Sequence, residues 1–151
     1  MTWWQGLGLS LVSAVAYGLL FNVPVRALLA GGLAGMTGWI VFYLLPFWGA
    51  EVTLSTFLAA TTVSLLSQLL SIYLRVPSTN FSVAGIIPLV PGSMAYKAML
   101  AFVNGEYIHG ITLATKTSMV AGAIASGLIL GISCVTVWKG ARYADKRPKA
   151  H

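Results

Sequence analysis

Within the stretch GIIPLVPGSMAYKAM (Gly85–Met99), two prolines, two glycines and a lysine interrupt an otherwise apolar run. Pro88 and Pro91 lack an amide donor, and each ring clashes with the carbonyl four residues earlier. Gly92 permits a sharp turn, and Ser93 is a residue type that caps a new helix. The pattern predicts a discontinuous helix, one segment ending near Ile87 and a second beginning near Gly92. The amides of Ser93, Met94 and Ala95 would then stand free at the positive end of a half-helix dipole, an arrangement that attracts anions. An ordinary proline kink is the alternative. Lys97 follows Pro91 by about 9 Å of helix, and Lys116 lies about 8 Å into the next apolar run, which puts the two at nearly equal depth. A lysine so placed either faces a cavity or snorkels to the surface. The two ammonium groups and the free amides compose a candidate pocket for a carboxylate.

Other polar groups are sparser. Thr61, Ser64, Gln68 and Ser71 share one face of a third apolar run. Such groups either bond to neighbouring helices or line a wet path for a polar solute. Gly31, Gly35 and Gly38 mark one small-residue face, and Ala123, Gly127 and Gly131 another. Both predict tight helix packing, within the chain or between copies. Glu106 and His109 are too few ligands for a metal site. No nucleophile–His–acid set, metal motif or phosphate loop occurs, so the chain reads as neither an enzyme nor a cofactor carrier. The apolar runs contain no Asp or Glu, and therefore no acidic relay for a proton or sodium ion.

These residues need elements to hold them. Of 151 residues, 58% are hydrophobic and 8% charged, against about 45–50% and about 25% in soluble domains. The apolar residues fall in long runs, which defines an all-α, polytopic membrane helix bundle. Five spans are expected: about Trp3 to Phe21, Ala27 to Leu45, Val52 to Leu74, Thr79 to Val103 (the discontinuous one) and Ile111 to Trp138. Residues 1–138 form the transmembrane domain and 139–151 a basic cytoplasmic tail. The net charge of +6 is concentrated in that tail, at Lys139, Arg142, Lys146, Arg147 and Lys149. A basic segment after an apolar helix suits an anionic leaflet, and no basic stripe with interleaved aromatics points to nucleic acid. Arg26, Arg75 and the tail lie at alternate breaks, whereas Glu51, Glu106 and His109 lie at the others. The positive-inside rule then places the N-terminus outside and the C-terminus in the cytoplasm. Span one has no basic residue before it and reads as a retained helix rather than a cleaved leader. Cys134, the single cysteine, can form no internal disulfide.

Three segments resemble the small subunit of the bacterial threonine/serine exporter family: FNVPVRALL after span one, STFLAATTVSLLSQ in span three and GIIPLVPGSMAYKAM in span four. The last is the most specific, with a proline-broken segment, PGS, and a tyrosine followed by a basic residue. The likeness covers about Leu20 to Gly131. It implies a multi-pass protein of the bacterial inner membrane and a second, larger membrane subunit encoded separately. It also implies export of small hydroxy-amino acids or related carboxylates, such as succinate. Site residues carried over are Pro88, Pro91, Gly92, Ser93, Tyr96 and Lys97. Lys116, Ser64 and Gln68 join the candidate site from the polar pattern alone. A threonine zwitterion also needs an acceptor for its ammonium group, from carbonyls near Ile87 or from a partner. Two alternatives remain at this stage: an accessory structural subunit without its own site, and a homo-oligomeric anion channel built from the glycine faces.

Overall fold

A computed structural model describes residues 3–145, and every element in it is helical. The order is α1 (Trp3–Leu20), α2 (Val25–Leu44) closed by a 3-10 turn (Leu45–Trp48), α3 (Val52–Leu74), α4 (Ser78–Ile86) with a 3-10 turn (Ile87–Leu89), α5 (Gly92–Val103) and α6 (Tyr107–Asp145). Three helical segments, Ala27–Trp48, Val52–Leu74 and Tyr107–Trp138, are long and apolar enough to cross a bilayer. Ser78–Leu89 and Gly92–Val103 together make a fourth, bent by 51° at the break, and α1 is a shorter apolar helix. The expected all-α membrane bundle forms, and the bent pair lies where the discontinuous span was expected; with α1 too short to count among the spans, three or four crossings stand where five were expected. Residues 146–151 of the basic tail lie outside the described region, while residues 139–145 continue the backbone of α6.

Glycine fixes how the helices meet. A Cβ on Gly38 would overlap Val63 of α3, and one on Gly35 would lie 3.1 Å from Ala14 of α1. On α6, a Cβ at Gly127 would sit 2.6 Å from the Phe57 carbonyl, and one at Gly131 would overlap Ser64. Both glycine faces foreseen from spacing are therefore buried inside the chain. They bring backbones together as small residues do in lipid. They are not available as the faces of a homo-oligomer. The core between them gathers Ala59, Ala60, Val63, Leu89, Val120 and Ile124.

These contacts also set heights along the bundle. Gly127 lies against Ala60 and Thr61, and Gly131 against Ser64, so α3 and α6 run parallel, with Val52 level with about Ser118. Residues 107–117 of α6 consequently project about 16 Å past the first residue of α3. α5 folds back along this projection, with Phe102 against Gly110 and Ala98 and Ala101 buried. The result is a two-helix arm at the Glu51 end of the bundle.

Candidate functional site

The broken helix is where the sequence placed it. Pro88 ends the α-helical hydrogen bonding, since it offers no amide to the Ala84 carbonyl. A 3-10 turn follows, and Val90 is extended at φ −63°, ψ 127°, with its N–H donating to the Ile87 carbonyl at 3.3 Å. Pro91 then sits at the N-cap of α5, with no side-chain capping bond. Leu89 belongs to the mid-bundle core, and α5 starts higher, level with about Val120 by the Phe102–Gly110 contact, its later turns running along the first turns of α6. The break thus climbs from the bundle centre toward the Glu51 end.

Several expectations change here. Ser93 does not cap α5, because Pro91 occupies that position, and the Ser93 side chain is exposed. The Ala95 amide donates to the Pro91 carbonyl at 3.1 Å, so it is not free. The amides of Ser93 and Met94 precede any intrahelical acceptor, as the opening donors of every helix do, and they carry the anion chemistry left at this helix start. Gly92 has open space at its Cβ position and no positive φ. The turn there is made by Val90 and Pro91, and glycine's freedom is not required.

Lys97 and Lys116 are both exposed. α5 and α6 are antiparallel, and the Phe102–Gly110 contact puts Lys97 level with about Thr115. At about 100° per residue, with Ala98 and Ala101 turned toward α6 and Gly110 and Thr117 toward α5, both lysines fall on the same side of the arm. The shared depth foreseen from span counting is therefore kept, but its value is not. Lys116 lies level with the loop before α3, rather than a few ångströms above the bilayer centre. A lysine there reaches polar surroundings without the cost of a mid-membrane charge. Tyr96 is 59% exposed beside Lys97.

The polar face of α3 is separate from this site. Ser64 is fully buried and its hydroxyl donates to the Leu128 carbonyl at 2.9 Å, tying α3 to α6. Gln68 Nε2 donates to Ser78 Oγ at 3.1 Å, near the Arg75 end. Thr61 donates to its own helix at the Phe57 carbonyl, 2.8 Å away. Among the described residues no buried polar side-chain atom lacks a partner. Ser64 and Gln68 thus tie helices together and are not brought to Lys97.

One recess escaped the sequence reading. Pro88 and Ile87 line a space of about 330 Å³ with Gly6, Ser10, Ser13 and Trp39. Ser10 and Ser13 donate to the Leu7 and Ser10 carbonyls at 2.9 and 3.1 Å. Their spacing of three on one face of span one was the available signal. Pro91 and Gly92 are not among its lining residues.

A multi-pass helical membrane protein with a broken span and cations beside the break has the form of a transporter. Residues 7–134 match the family model described as threonine/serine exporter, ThrE. The chain belongs to that family. No solved structure matches it.

Proposed function

We propose that this chain is one half of a two-component exporter of small carboxylate-bearing metabolites, threonine and serine or dicarboxylates such as succinate. Its partner is a second, larger membrane subunit. The observation that carries the reading is the start of α5, where the Ser93 and Met94 amides open a helix that bears Lys97 on its next turn. In helices the Cα–Cβ bond tilts toward the N-terminus, so the Lys97 side chain leans back toward those amides. Two N–H groups, a helix dipole and an ammonium group converge on one carboxylate. Lys116 adds a second cation from α6 at the same height, and Pro88 and Pro91 hold the break open. Tyr96 lies beside this group as the family motif implies.

The site is narrower than the residue set drawn from sequence, because Ser64 and Gln68 act elsewhere in the bundle. In this reading the protein lies in the bacterial inner membrane with Glu51 outside and Arg75 inside, as the loop charges require. The site then stands on the exit side of the membrane. The test is efflux of labelled threonine, serine and succinate from cells with and without the second subunit. Efflux that needs both chains and drops at least tenfold in Lys97→Ala supports the reading. Wild-type efflux from Lys97→Ala would overturn the site, and full efflux by the partner alone would reduce this chain to scaffolding.

A further inference from the structure

We propose that the seam between α1 and α4 holds a second solute site, an inner one, from which a small, net-neutral polar solute moves along α1 to the break. Its first element is a cleft of about 280 Å³ at the Arg75 end, lined by Tyr17, Phe21, Val23, Thr79, Asn80 and Val83. That size lies just under the ~300–1,000 Å³ of pockets for drug-sized ligands, so it suits a smaller metabolite. Phe21 stacks on Tyr17 with ring centroids 4.3 Å apart and forms an apolar wall. The polar groups are unused: no hydrogen bond joins the side chains of Tyr17, Thr79 or Asn80 to another described residue. Thr56, Thr61 and Thr117 instead donate to the carbonyl four residues back. Thr79 is the second residue of α4 and has no helical carbonyl behind it. A hydroxyl, a phenol and a carboxamide together offer donors and acceptors without net charge. Beside apolar surface, such groups gain from a ligand that satisfies them.

The second element is a row. Ser10, Ser13 and Tyr17 follow one another at spacings of three and four, so they share one face of α1. After Gln5 they are the polar side chains of that helix. Tyr17 shares the inner cleft with Asn80, whereas Ser10 and Ser13 share the recess of about 330 Å³ with Ile87 and Pro88. α1 and α4 therefore run antiparallel, and the seven residues from Tyr17 back to Ser10 cover about 10 Å toward the break. Ser10 and Ser13 donate to their own helix, but each oxygen keeps acceptor capacity. Between the two spaces, Ala14 of α1 and Gly85 of α4 both lie against Gly35 of α2, 3.1 and 3.7 Å from its Cβ position, so small groups close the seam at that level. Among the main contacts α1 packs on α2, α4 and the turn after α4, so it can shift while α3 stays seated on α6. A phospholipid headgroup would reach the inner cleft and leave the serines beyond it without a role; a soluble zwitterion suits the whole row. A dicarboxylate would meet no cation in either lining. That the solute is the exported one rests on the export reading; binding in the cleft does not.

The experiment uses the full-length chain in nanodiscs, with and without the second subunit, in a Cys134→Ser background carrying Val83→Cys. Val83 lines the cleft and is 39% exposed, so a thiol there reports occupancy without removing a polar group. A small maleimide is added with and without saturating threonine, succinate or a short-chain phosphatidylcholine. Labelling should slow at least threefold with threonine and stay unchanged with succinate. Lys97→Ala should leave that protection intact, because it disables only the α5 start. Asn80→Leu and, separately, Thr79→Val should each weaken it severalfold while the melting temperature holds. Ser13→Leu fills the recess beyond, so protection should persist while threonine efflux from cells falls at least fivefold. A labelling rate indifferent to threonine in both preparations would overturn the inner site. So would protection that is lost in Lys97→Ala, unaffected by both cleft variants, or given by the phospholipid instead of threonine. Wild-type efflux from Ser13→Leu would overturn the route. Cleft protection is read in the Lys97→Ala chain, so failure of the inner site is distinct from failure of the carboxylate site at α5.

Discussion

The two ends of α6 are built on opposite terms. From about Val120 to Val135 it buries one face against α3, and glycines there are dictated by backbone contact: Gly127 lies under the Phe57 carbonyl and Gly131 under Ser64. From Tyr107 to Thr117 the same helix packs on α5 alone among the main contacts and leaves Tyr107, Ile108 and Ile111 exposed. The first region is a rigid seam. The second is an arm carrying both lysines, with the open start of α5 at its base. The contrast teaches that small residues here hold the bundle, whereas the groups suited to a carboxylate sit where packing is thinnest. Segments that bind or move are commonly drawn from such low-contact regions.

The comparison breaks most sharply at the seam. Gly127→Leu should separate α3 from α6, because its Cβ alone would stand 2.6 Å from a backbone oxygen. Overpacking of this kind costs about 1–3 kcal/mol for added methylenes and more where backbone must move. The outcome is loss of monodisperse protein in detergent, measured by size-exclusion fluorescence. On the arm, Lys97→Ala should leave yield and melting temperature unchanged and lower efflux at least tenfold, with Lys97→Arg retaining most of it. Equal losses of yield and efflux would make Lys97 structural. Ser64→Ala removes a single interhelical bond and should cost about 0.6–1.7 kcal/mol in a denaturant titration, with efflux per folded molecule intact. Gly92→Ala should be the mildest, within about 0.5 kcal/mol, because the position is open and needs no positive φ. A large defect there would return the turn to glycine.

Much of this was legible in the chain. Proline chemistry is local, so Pro88 and Pro91 fixed the ends of the two half-helices to within a residue or two. Apolar runs broken by NVPVR and RVPST gave the helix boundaries in the same way. Small-residue spacing found both packed faces. What was not legible depends on partners distant in sequence. The depth of Lys116 was counted from the end of its apolar run, but the height of α6 is set by Gly127 and Gly131 against α3, and that contact slides the helix outward. Ser64 and Gln68 looked like a solute path because periodicity shows which face a group is on and not what covers it. Leu128 and Ser78 cover them. The Ser93 cap failed for a subtler reason: the helix starts at Gly92 as expected, so the N-cap falls on Pro91 and Ser93 lies inside the first turn.

The central claim is that a substrate carboxylate sits at the start of α5. It is tested most directly by substrate protection of a thiol placed there. In a Cys134→Ser background co-expressed with the second subunit, Ser93→Cys would be labelled with a membrane-impermeant maleimide, with and without saturating threonine, serine or succinate. The account predicts labelling from the outer side that slows severalfold with the exported carboxylate, and not with an uncharged amide analogue. Labelling at the same rate with and without substrate, in a variant that still exports, would contradict it.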